Sequence, residues 1–205
     1  KTKGIIPVVR TIAKDYDTKR RNILKIAAEV FAREGIERAS MNAVAKSCGI
    51  SKANIYHYYS SKNDLVFDIL DSYLSELRQV MCDADRSALS PETKLRSIAK
   101  DFLMAYEGMD NEHKIQSEGL PYLERERQEI LKEYQRDLVD LVFCALKECS
   151  PDVLGKNDNE CRHITMSVFG MLNWFYMWNP KATKKARKDY AASVADLTLN
   201  GIMAS

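Results

Sequence analysis

The segment SMNAVAKSCGISKANIYHYYSSK, residues 40–62, predicts two short helices joined by a tight turn. Apolar residues recur at helical spacing in both halves: Met41, Val44 and Ala45 in the first, then Ile50, Ile55 and Tyr59 in the second. Gly49 lies between the halves and can take the positive φ that a sharp reversal between helices often needs. The other side chains of the second half are polar or aromatic and include no acid, so this half could enter a major groove without repelling phosphate. We therefore predict a helix-turn-helix.

The same residues resemble a known family. The run ISKANIYHYYSSKNDL, residues 50–65, is similar to the second half of the DNA-binding domain of TetR/AcrR-type repressors, with a Tyr-x-x-aromatic-x-x-Lys pattern at Tyr56, Tyr59 and Lys62. The preceding run AAEVFAREGIERASMNAVAKSCG, residues 27–49, resembles the first two helices of that domain. The resemblance covers about residues 18–74. Tyr59 stands where the family usually has phenylalanine, and Asn54 where it has small residues or threonine, which could change the base that is read.

The resemblance also implies which side chains touch DNA. Base or groove contacts are expected from Lys52, Asn54, His57 and Tyr58. Phosphate contacts are expected from Tyr56 and Lys62, and hydrogen bonds to backbone phosphates from Thr18, Ser40 and Ser51. Tyr59 is expected in the core instead.

Composition and charge distribution agree with a DNA-binding, all-α protein. The 205 residues include only 8 Gly and 5 Pro, with 45% hydrophobic and 29% charged residues, which favours an all-helical chain of about nine helices. The net charge of +2 is uneven: residues 1–60 carry 12 Lys and Arg against 5 Asp and Glu, so the remainder is acidic. Such a division suggests a polyanion-binding head on a neutral-to-acidic body.

We predict three regions: an N-terminal arm at residues 1–17, the helix-turn-helix DNA-binding domain at 18–64, and a helical ligand-binding and dimerisation domain at 65–205. The arm could be a frayed tail or could lie in the minor groove. Asp17 or Thr18 is expected to cap the first helix. A long helix at Ser61–Asp85 is expected to contain the domain boundary.

The last two predicted helices carry more apolar surface than one core face can use. The segment ITMSVFGMLNWFYMW, residues 164–178, is apolar nearly all round. This surplus suggests a four-helix interface in a homodimer, as the resemblance also implies. The residues assigned to that interface are Phe169, Leu172, Phe175, Tyr190, Val194 and Leu197. Those assigned to an apolar ligand pocket are Phe102, Tyr106, Phe143, Asn173, Trp174, Met177 and Trp178, and the alternative is that such a stripe is only core or dimer interface.

The effector prediction rests on a shorter resemblance. Residues 170–174, followed by a Trp-Asn-Pro ending, resemble the penultimate helix of TetR-type regulators of fatty-acid, steroid and phenylacetate breakdown, several of which sense acyl-CoA thioesters. An acyl-CoA is therefore the favoured effector, and no other cofactor is expected. Its phosphates would need cations, for which Arg125, Arg127, Arg162 or Lys184 could serve.

Other classes of protein lack support in the sequence. There is no G-x-S-x-G, H-E-x-x-H, P-loop or G-x-G-x-x-G motif, and the three histidines lie far apart, so we predict no enzyme. Cys161 and His163 lack a second ligand pair for a metal, and five cysteines without C-x-x-C suggest a reduced, cytoplasmic protein. The longest uncharged run, residues 164–180, is short for a membrane span of ~20 residues.

Together these patterns predict a ligand-responsive repressor that binds double-stranded DNA at a palindromic operator as a dimer. The alternatives are a ligand-independent architectural DNA-binding protein and, less favoured, a small helical enzyme.

Overall fold

The computed structural model describes the backbone of residues 8–203 and the side chains of residues 16–202. Within these bounds it contains nine α-helices, one 3-10 turn at Leu120–Tyr122 and no strand, as the composition predicts. The helices are α1 Val8–Glu34, α2 Met41–Ser47, α3 Lys52–Tyr58, α4 Lys62–Cys82, α5 Pro91–Ala105, α6 Asp110–Gly119, α7 Arg125–Cys149, α8 Asp158–Trp178 and α9 Lys184–Met203.

The helices form two compact units. The head unit contains the chain as far as Leu70 together with Lys114–Leu123, and the body unit contains Asp71–His113 and the chain from Glu124 onward. Helices α4 and α6 therefore contribute to both units. The division in α4 falls in the helix that was expected to contain the boundary, while the predicted position between residues 64 and 65 stays a prediction.

The segment Lys114–Leu123 was expected in the body but packs in the head unit. The ammonium of Lys114 donates to the carbonyl oxygen of Ala32 at 2.7 Å, at the end of α1. Gly119 lies so close to its neighbours that an added Cβ would stand 3.0 Å from Leu70 Cδ1 and 3.5 Å from Ile36 Cδ1. These are contacts across a large sequence separation, which local periodicity does not reveal.

The predicted start of the first helix at Asp17 or Thr18 is wrong. Helix α1 already runs from Val8, and both residues lie inside it with exposed side chains. No Gly or Pro interrupts residues 8–17, and Pro7 is the last helix breaker before Val8. The predicted arm is thus helical over residues 8–17, and its residues 1–7 lie outside the described part.

The helix-turn-helix has the predicted geometry. The Oγ of Ser40 accepts a hydrogen bond from Ala43 N at 3.1 Å and caps α2, and Ser51 caps α3 in the same way through Asn54 N at 3.1 Å. Gly49 takes a φ of 67° in the turn between them, a conformation that favours glycine.

Lys62 has a structural position that contradicts its predicted phosphate contact. Its Nζ donates to three backbone carbonyls in the turn between α1 and α2: Ile36 O at 2.7 Å, Glu37 O at 2.9 Å and Ala39 O at 3.1 Å. An ammonium has three N–H donors, so all of them are occupied. Lys62 therefore joins the start of α4 to the α1–α2 turn.

Tyr59 is buried, as expected, and its hydroxyl belongs to a polar network. It donates to Asp68 Oδ2 at 2.6 Å, and the same carboxylate accepts from Nε and NH2 of Arg20 on α1. Burial, and then the nearby Asp68, raise the pKa of Tyr59 far above its ordinary value, so the phenol stays protonated and remains a donor. The network fixes the end of α3 to α1 and α4.

The body unit is built around α5, which packs against α9 and α7. Ser90 caps α5 through Thr93 N at 3.3 Å, with Pro91 at the first helical position, as the sequence predicts. Arg187 of α9 is almost fully buried; its NH1 donates to Leu103 O at 3.2 Å, and its guanidinium lies 5.8 Å from the centre of the Phe175 ring.

Replacing Lys62 with methionine tests its role. Lys62→Met keeps most of the side-chain length but removes three charge-assisted hydrogen bonds, so we expect the head unit to lose about 2–4 kcal/mol of stability. Hydrogen exchange of the amides in α2 and α3 measures this loss. The matched change Lys52→Met, at an exposed site, should alter stability by no more than about 0.5 kcal/mol. Equal protection in both variants would contradict the structural role.

Candidate DNA-binding face and effector site

Helix α3 presents a polar outer face. Ile55 is its buried residue and anchors the helix, while the exposed side chains are Ser51, Lys52, Ala53, Asn54, Tyr56 and His57. None of these is acidic, and Lys52, Asn54 and His57 all carry side-chain hydrogen-bond donors. The arrangement suits contact with base edges and phosphates.

The two capping serines keep part of their hydrogen-bonding capacity. Ser40 and Ser51 use an oxygen lone pair to accept from the backbone, which leaves each hydroxyl hydrogen available to a phosphate. Both residues are exposed. Their predicted phosphate contacts are compatible with this geometry and stay predictions, as does that of Thr18, which is exposed within α1.

The aromatic residues of α3 differ in availability. Tyr58 is half-buried because its ring stacks on that of Tyr16, with centroids 5.0 Å apart and planes 21° apart. Tyr56 is 45% exposed, and the ammonium of Lys52 lies 6.0 Å from its ring centre. Tyr16 was missed by the sequence analysis because it lies in the region interpreted as an arm. Tyr58 thus supports α1 as well as facing outward.

A second candidate site lies in the body, where a polar and aromatic cluster surrounds His113. The hydroxyl of Tyr73 lies 2.8 Å from His113 Nδ1, and the rings of Tyr106 and Tyr176 lie 4.7 and 5.1 Å from the imidazole. The Tyr106 hydroxyl donates to Asn173 Oδ1 at 2.9 Å. We call these five residues the His113 cluster.

Burial controls the ionisation of the His113 cluster. It lowers the pKa of His113 to about 4, which the nearby Asp110 carboxylate and a hydrogen bond with the Asn173 backbone only partly oppose. Burial likewise raises the pKa of Tyr73 and of Tyr106. At neutral pH the cluster is therefore an uncharged group of donors and acceptors, suited to a polar but uncharged part of a ligand.

A small cavity adjoins this cluster. It has a volume of about 130 Å³ and is lined by Tyr73, Glu76, Leu77, Val80, Ala105 and Met109. Tyr73 belongs both to the wall of the cavity and to the His113 cluster. A ligand whose apolar part fills the cavity would therefore lie beside Tyr73, and its polar part could contact the His113 cluster.

The predicted ligand-binding residues are only partly brought together. Phe102 and Tyr106 are buried with ring centres 6.0 Å apart, and Tyr106 bonds to Asn173. Phe143 is half-buried elsewhere on α7, with the Lys147 ammonium 5.2 Å from its ring. Three others lie exposed on α8, which contradicts a place in an internal pocket: Trp174, Met177 and Trp178. Lys184, one of the suggested phosphate-binding cations, lies 3.6 Å from Glu107.

Most of the residues predicted to lie in the dimer interface are buried inside the subunit instead. Tyr190 is half-buried with its ring stacked on Phe175, and Leu197 is 67% exposed. The buried members are Phe169, Leu172, Phe175 and Val194. The periodicity of α8 was correct, but a helix that is apolar on both faces does not reveal which face meets its own subunit.

Sequence reasoning missed Tyr73, His113 and Tyr176. Tyr73 and His113 are 40 residues apart, and only the packing of α4 against α6 brings them together. A local signal existed for Tyr176 alone, since it follows Asn173 by three residues and so lies on the same side of α8.

The depressed pKa of His113 predicts a pH dependence of stability. The unfolded state takes up the proton near pH 6.5 and the folded state only near pH 4, so stability is complete above pH 6.5 and falls as the pH decreases towards 4. The loss should reach about 3 kcal/mol at most. Urea denaturation of the wild type and of His113→Gln across this range measures it. The free energy of unfolding of the variant should not show this decrease with falling pH. Parallel curves of unfolding free energy against pH for the two proteins would contradict the depressed pKa of His113.

The described residues contain no group of three or more His, Cys, Asp or Glu side chains placed to hold a metal ion. Among the helices of that same part of the chain, none has the length and apolar character needed to cross a bilayer.

Two parts of the chain match known families. Residues 23–69 match the family model of bacterial regulatory proteins of the tetR family, and residues 88–202 match that of the tetracyclin repressor-like C-terminal domain. A curated relative, the HTH-type transcriptional repressor KstR2 of Mycobacterium tuberculosis strain H37Rv, is 26% identical over 102 residues, which are 50% of each chain. The chain thus spans about half the length of the curated relatives it matches.

Solved structures extend the similarity over nearly the whole chain. A TetR-family transcriptional regulator from Bordetella parapertussis 12822 has a TM-score of 0.77 and 31% identity, covering 88% of this chain and 94% of that one. AibR in complex with isovaleryl coenzyme A and operator DNA has a TM-score of 0.74 and 22% identity, covering 87% of this chain and 97% of that one, which shows similarity of fold.

The capped helix-turn-helix, the all-helical body and a family match over residues 88–202, more than half of the sequence, agree with one another. This chain belongs to the TetR family of bacterial transcriptional regulators, whose members are not enzymes.

Proposed function

We propose that this protein is a repressor that binds a palindromic operator as a homodimer and is released by a small apolar or acyl-CoA-type effector. The observation that carries the proposal is the outer face of α3, exposed, rich in donors and free of acids. Each subunit would place α3 in one of two successive major grooves, so that the symmetry of the dimer matches that of the operator. Such a regulator acts on DNA in the cytoplasm.

The roles of individual residues follow from their exposure and partners. Lys52, Asn54 and His57 are the proposed base contacts, because their side chains are exposed on α3. Tyr56, Ser40 and Ser51, joined by Thr18 on α1, are the proposed phosphate contacts. Tyr58 would contact the groove with the part of its ring that the stack on Tyr16 leaves open, and Lys62 no longer belongs to the set.

The homodimer is supported by the apolar surface of α8 and α9. Met166, Trp174, Met177 and Trp178 on α8 and Leu197 on α9 are each more than half exposed, so the two helices present a largely apolar outer face. Large apolar surfaces on monomers commonly mark protein interfaces. Leu197 keeps its predicted place in the interface, and the four α8 residues replace the internal ones that the sequence suggested.

The effector is proposed to bind at the His113 cluster and the adjoining cavity. The apolar cavity would take a short acyl chain, and the uncharged polar groups would bind its carbonyl oxygen. AibR, which shares this fold, forms a complex with isovaleryl coenzyme A, which favours an acyl-CoA for this chain as well. The effector would act through α4, which is continuous from Lys62 to Cys82, and only to the extent that it binds one conformation more tightly than the other.

Replacement of Asn54 tests direct base recognition. An exposed asparagine on a recognition helix can make two hydrogen bonds to an adenine edge, so Asn54→Ala should change the preference between operator variants by about 1–3 kcal/mol per altered base pair. Fluorescence anisotropy with single-base operator variants measures this preference.

Asn63→Ala provides the matched control, since Asn63 is an exposed asparagine at the start of α4. It should leave the order of preference among operators unchanged. The base contact is refuted if Asn54→Ala weakens every operator equally.

The effector site is tested by operator release. Isovaleryl-CoA added to the protein–operator complex should release DNA, while coenzyme A alone should do so only at much higher concentration, because it lacks the acyl chain. Tyr106→Phe, which removes the hydroxyl bonded to Asn173, should shift the release midpoint by about tenfold and leave operator affinity unchanged. Operator binding that no acyl-CoA alters would favour the architectural alternative.

A further inference from the structure

The outer face of α8 carries a protruding aromatic side chain in its C-terminal half. Trp174 is 61% exposed, and its side chain has no ring or hydrogen-bond partner among the described residues. Its neighbour Trp178 is held against Phe175 and Tyr190 by edge-on ring contacts. Trp174 is thus the projecting side chain of this face.

The same face carries a groove in its N-terminal half. The groove has a volume of about 310 Å³, is predominantly apolar and is lined by Val153, Leu154, Glu160, Ile164, Ser167, Val168, Met171, Leu197, Thr198, Gly201 and Ile202. The α8 residues among these follow one another at spacings of three to four, and three residues beyond Met171 the same stripe reaches Trp174. We call the feature the α8–α9 groove. It has room for one aromatic side chain and contains a small residue, Ser167, on the side formed by α8.

The projecting residue and the groove are symmetric about one point. Ser167 lies 3.5 residues before the midpoint between Gly170 and Met171, and Trp174 lies 3.5 residues after it, about 5 Å on either side. Gly170 is exposed, and a Cβ built on it would meet nothing within 4 Å. A second helix could therefore approach closely at this point.

The charges at the two ends are also complementary. Glu160, at the groove end, and Lys181, just beyond the Trp174 end, lie 10.5 residues before and after the same midpoint. Both are exposed, and neither forms an ion pair with a described residue. Arg162 is two residues from Glu160 and therefore about 200° away around the helix, on another side of α8.

We infer that α8 crosses the α8 of a second copy of this chain in antiparallel orientation at Gly170, with Trp174 of each copy in the α8–α9 groove of the other. A projection and a groove at equal distances from one point on one surface fit each other under a two-fold axis, which is the requirement of an isologous interface. The same axis brings Glu160 of one copy towards the Lys181 end of the other. The inference rests on the proposed homodimer and adds which residues of the two α8 helices face one another, which we call the register.

An exchange of the two facing residues tests the register. Trp174→Ser removes the projecting ring, and Ser167→Trp fills the groove, so each should raise the dimer dissociation constant at least about tenfold in analytical ultracentrifugation. The double variant restores one tryptophan opposite one serine and should return to within about threefold of the wild type. Ile130→Ala, at an exposed apolar site on α7, is the control and should leave the constant unchanged.

A cross-link locates the axis independently of side-chain volume. Gly170→Cys should form a disulfide-linked dimer under mild oxidation, beyond any that the five native cysteines form in the wild type. The variant has open space at the new side chain, so its folding is not at risk.

The outcomes separate the register from the homodimer itself. A dimer that resists both single replacements, or that fails to cross-link at residue 170, overturns the register while the proposed homodimer stands. A wild type that stays monomeric at all concentrations overturns both. Binding of a small apolar dye to the groove can also be compared between the dimer and the dissociated subunit. If both bind the dye equally, the groove is not filled by Trp174 in the dimer, which also overturns the register.

Discussion

The DNA-binding face depends on how a seven-residue helix is held in place. Helix α3 is too short to be stable alone, because nucleating a helix costs more than so few hydrogen bonds return. Ser51 fixes its start, burial of Ile55 fixes its inner side, and the Tyr59–Asp68–Arg20 network fixes its end. These inner contacts determine where the helix lies. Its outer side chains are therefore not needed to position it and can serve for contact with DNA. The hydroxyl of Tyr59 joins α3 to α1 and α4 through the carboxylate of Asp68.

The core of the body unit contains two kinds of buried polar group: a cluster of neutral side chains and a buried arginine. Around His113, neutral groups satisfy one another through short hydrogen bonds, so burial keeps the imidazole uncharged instead of requiring a counterion. The guanidinium of Arg187 lies in the core, where it donates to a backbone carbonyl and stands 3.7 Å from a carboxylate oxygen of Asp110. Buried polar groups of this kind require particular partners and therefore restrict how the helices can pack. A ligand that exchanges hydrogen bonds with the His113 cluster would thus act on the packing of α4, α5, α6 and α8.

Helix α8 shows what an all-round apolar pattern leaves undecided. One side, with Phe169, Leu172 and Phe175, fills the body, and the opposite side, with Trp174, Met177 and Trp178, faces outward. Both sides contain large apolar residues at helical spacing, so hydrophobicity alone assigns neither. The deciding factor is the contact of α8 with α5, α7 and α9. The sequence consequently assigned the buried residues of α8 to a dimer interface and its exposed residues to an internal pocket.

The sequence by itself determined the elements whose causes are local: the helical fold, the turn at Gly49, the serine cap of α5, and the burial of Ile55 and Tyr59. Caps, glycine conformation and helical period depend on interactions within a few residues, so they can be predicted from the local sequence. Only the tertiary structure decided that Lys62 joins the start of α4 to the α1–α2 turn, that Lys114–Leu123 packs in the head unit, that His113 meets Tyr73, and which side of α8 is outward. Each of these depends on residues far apart in the chain, whose approach is set by the packing of whole helices and leaves no mark on any one of them.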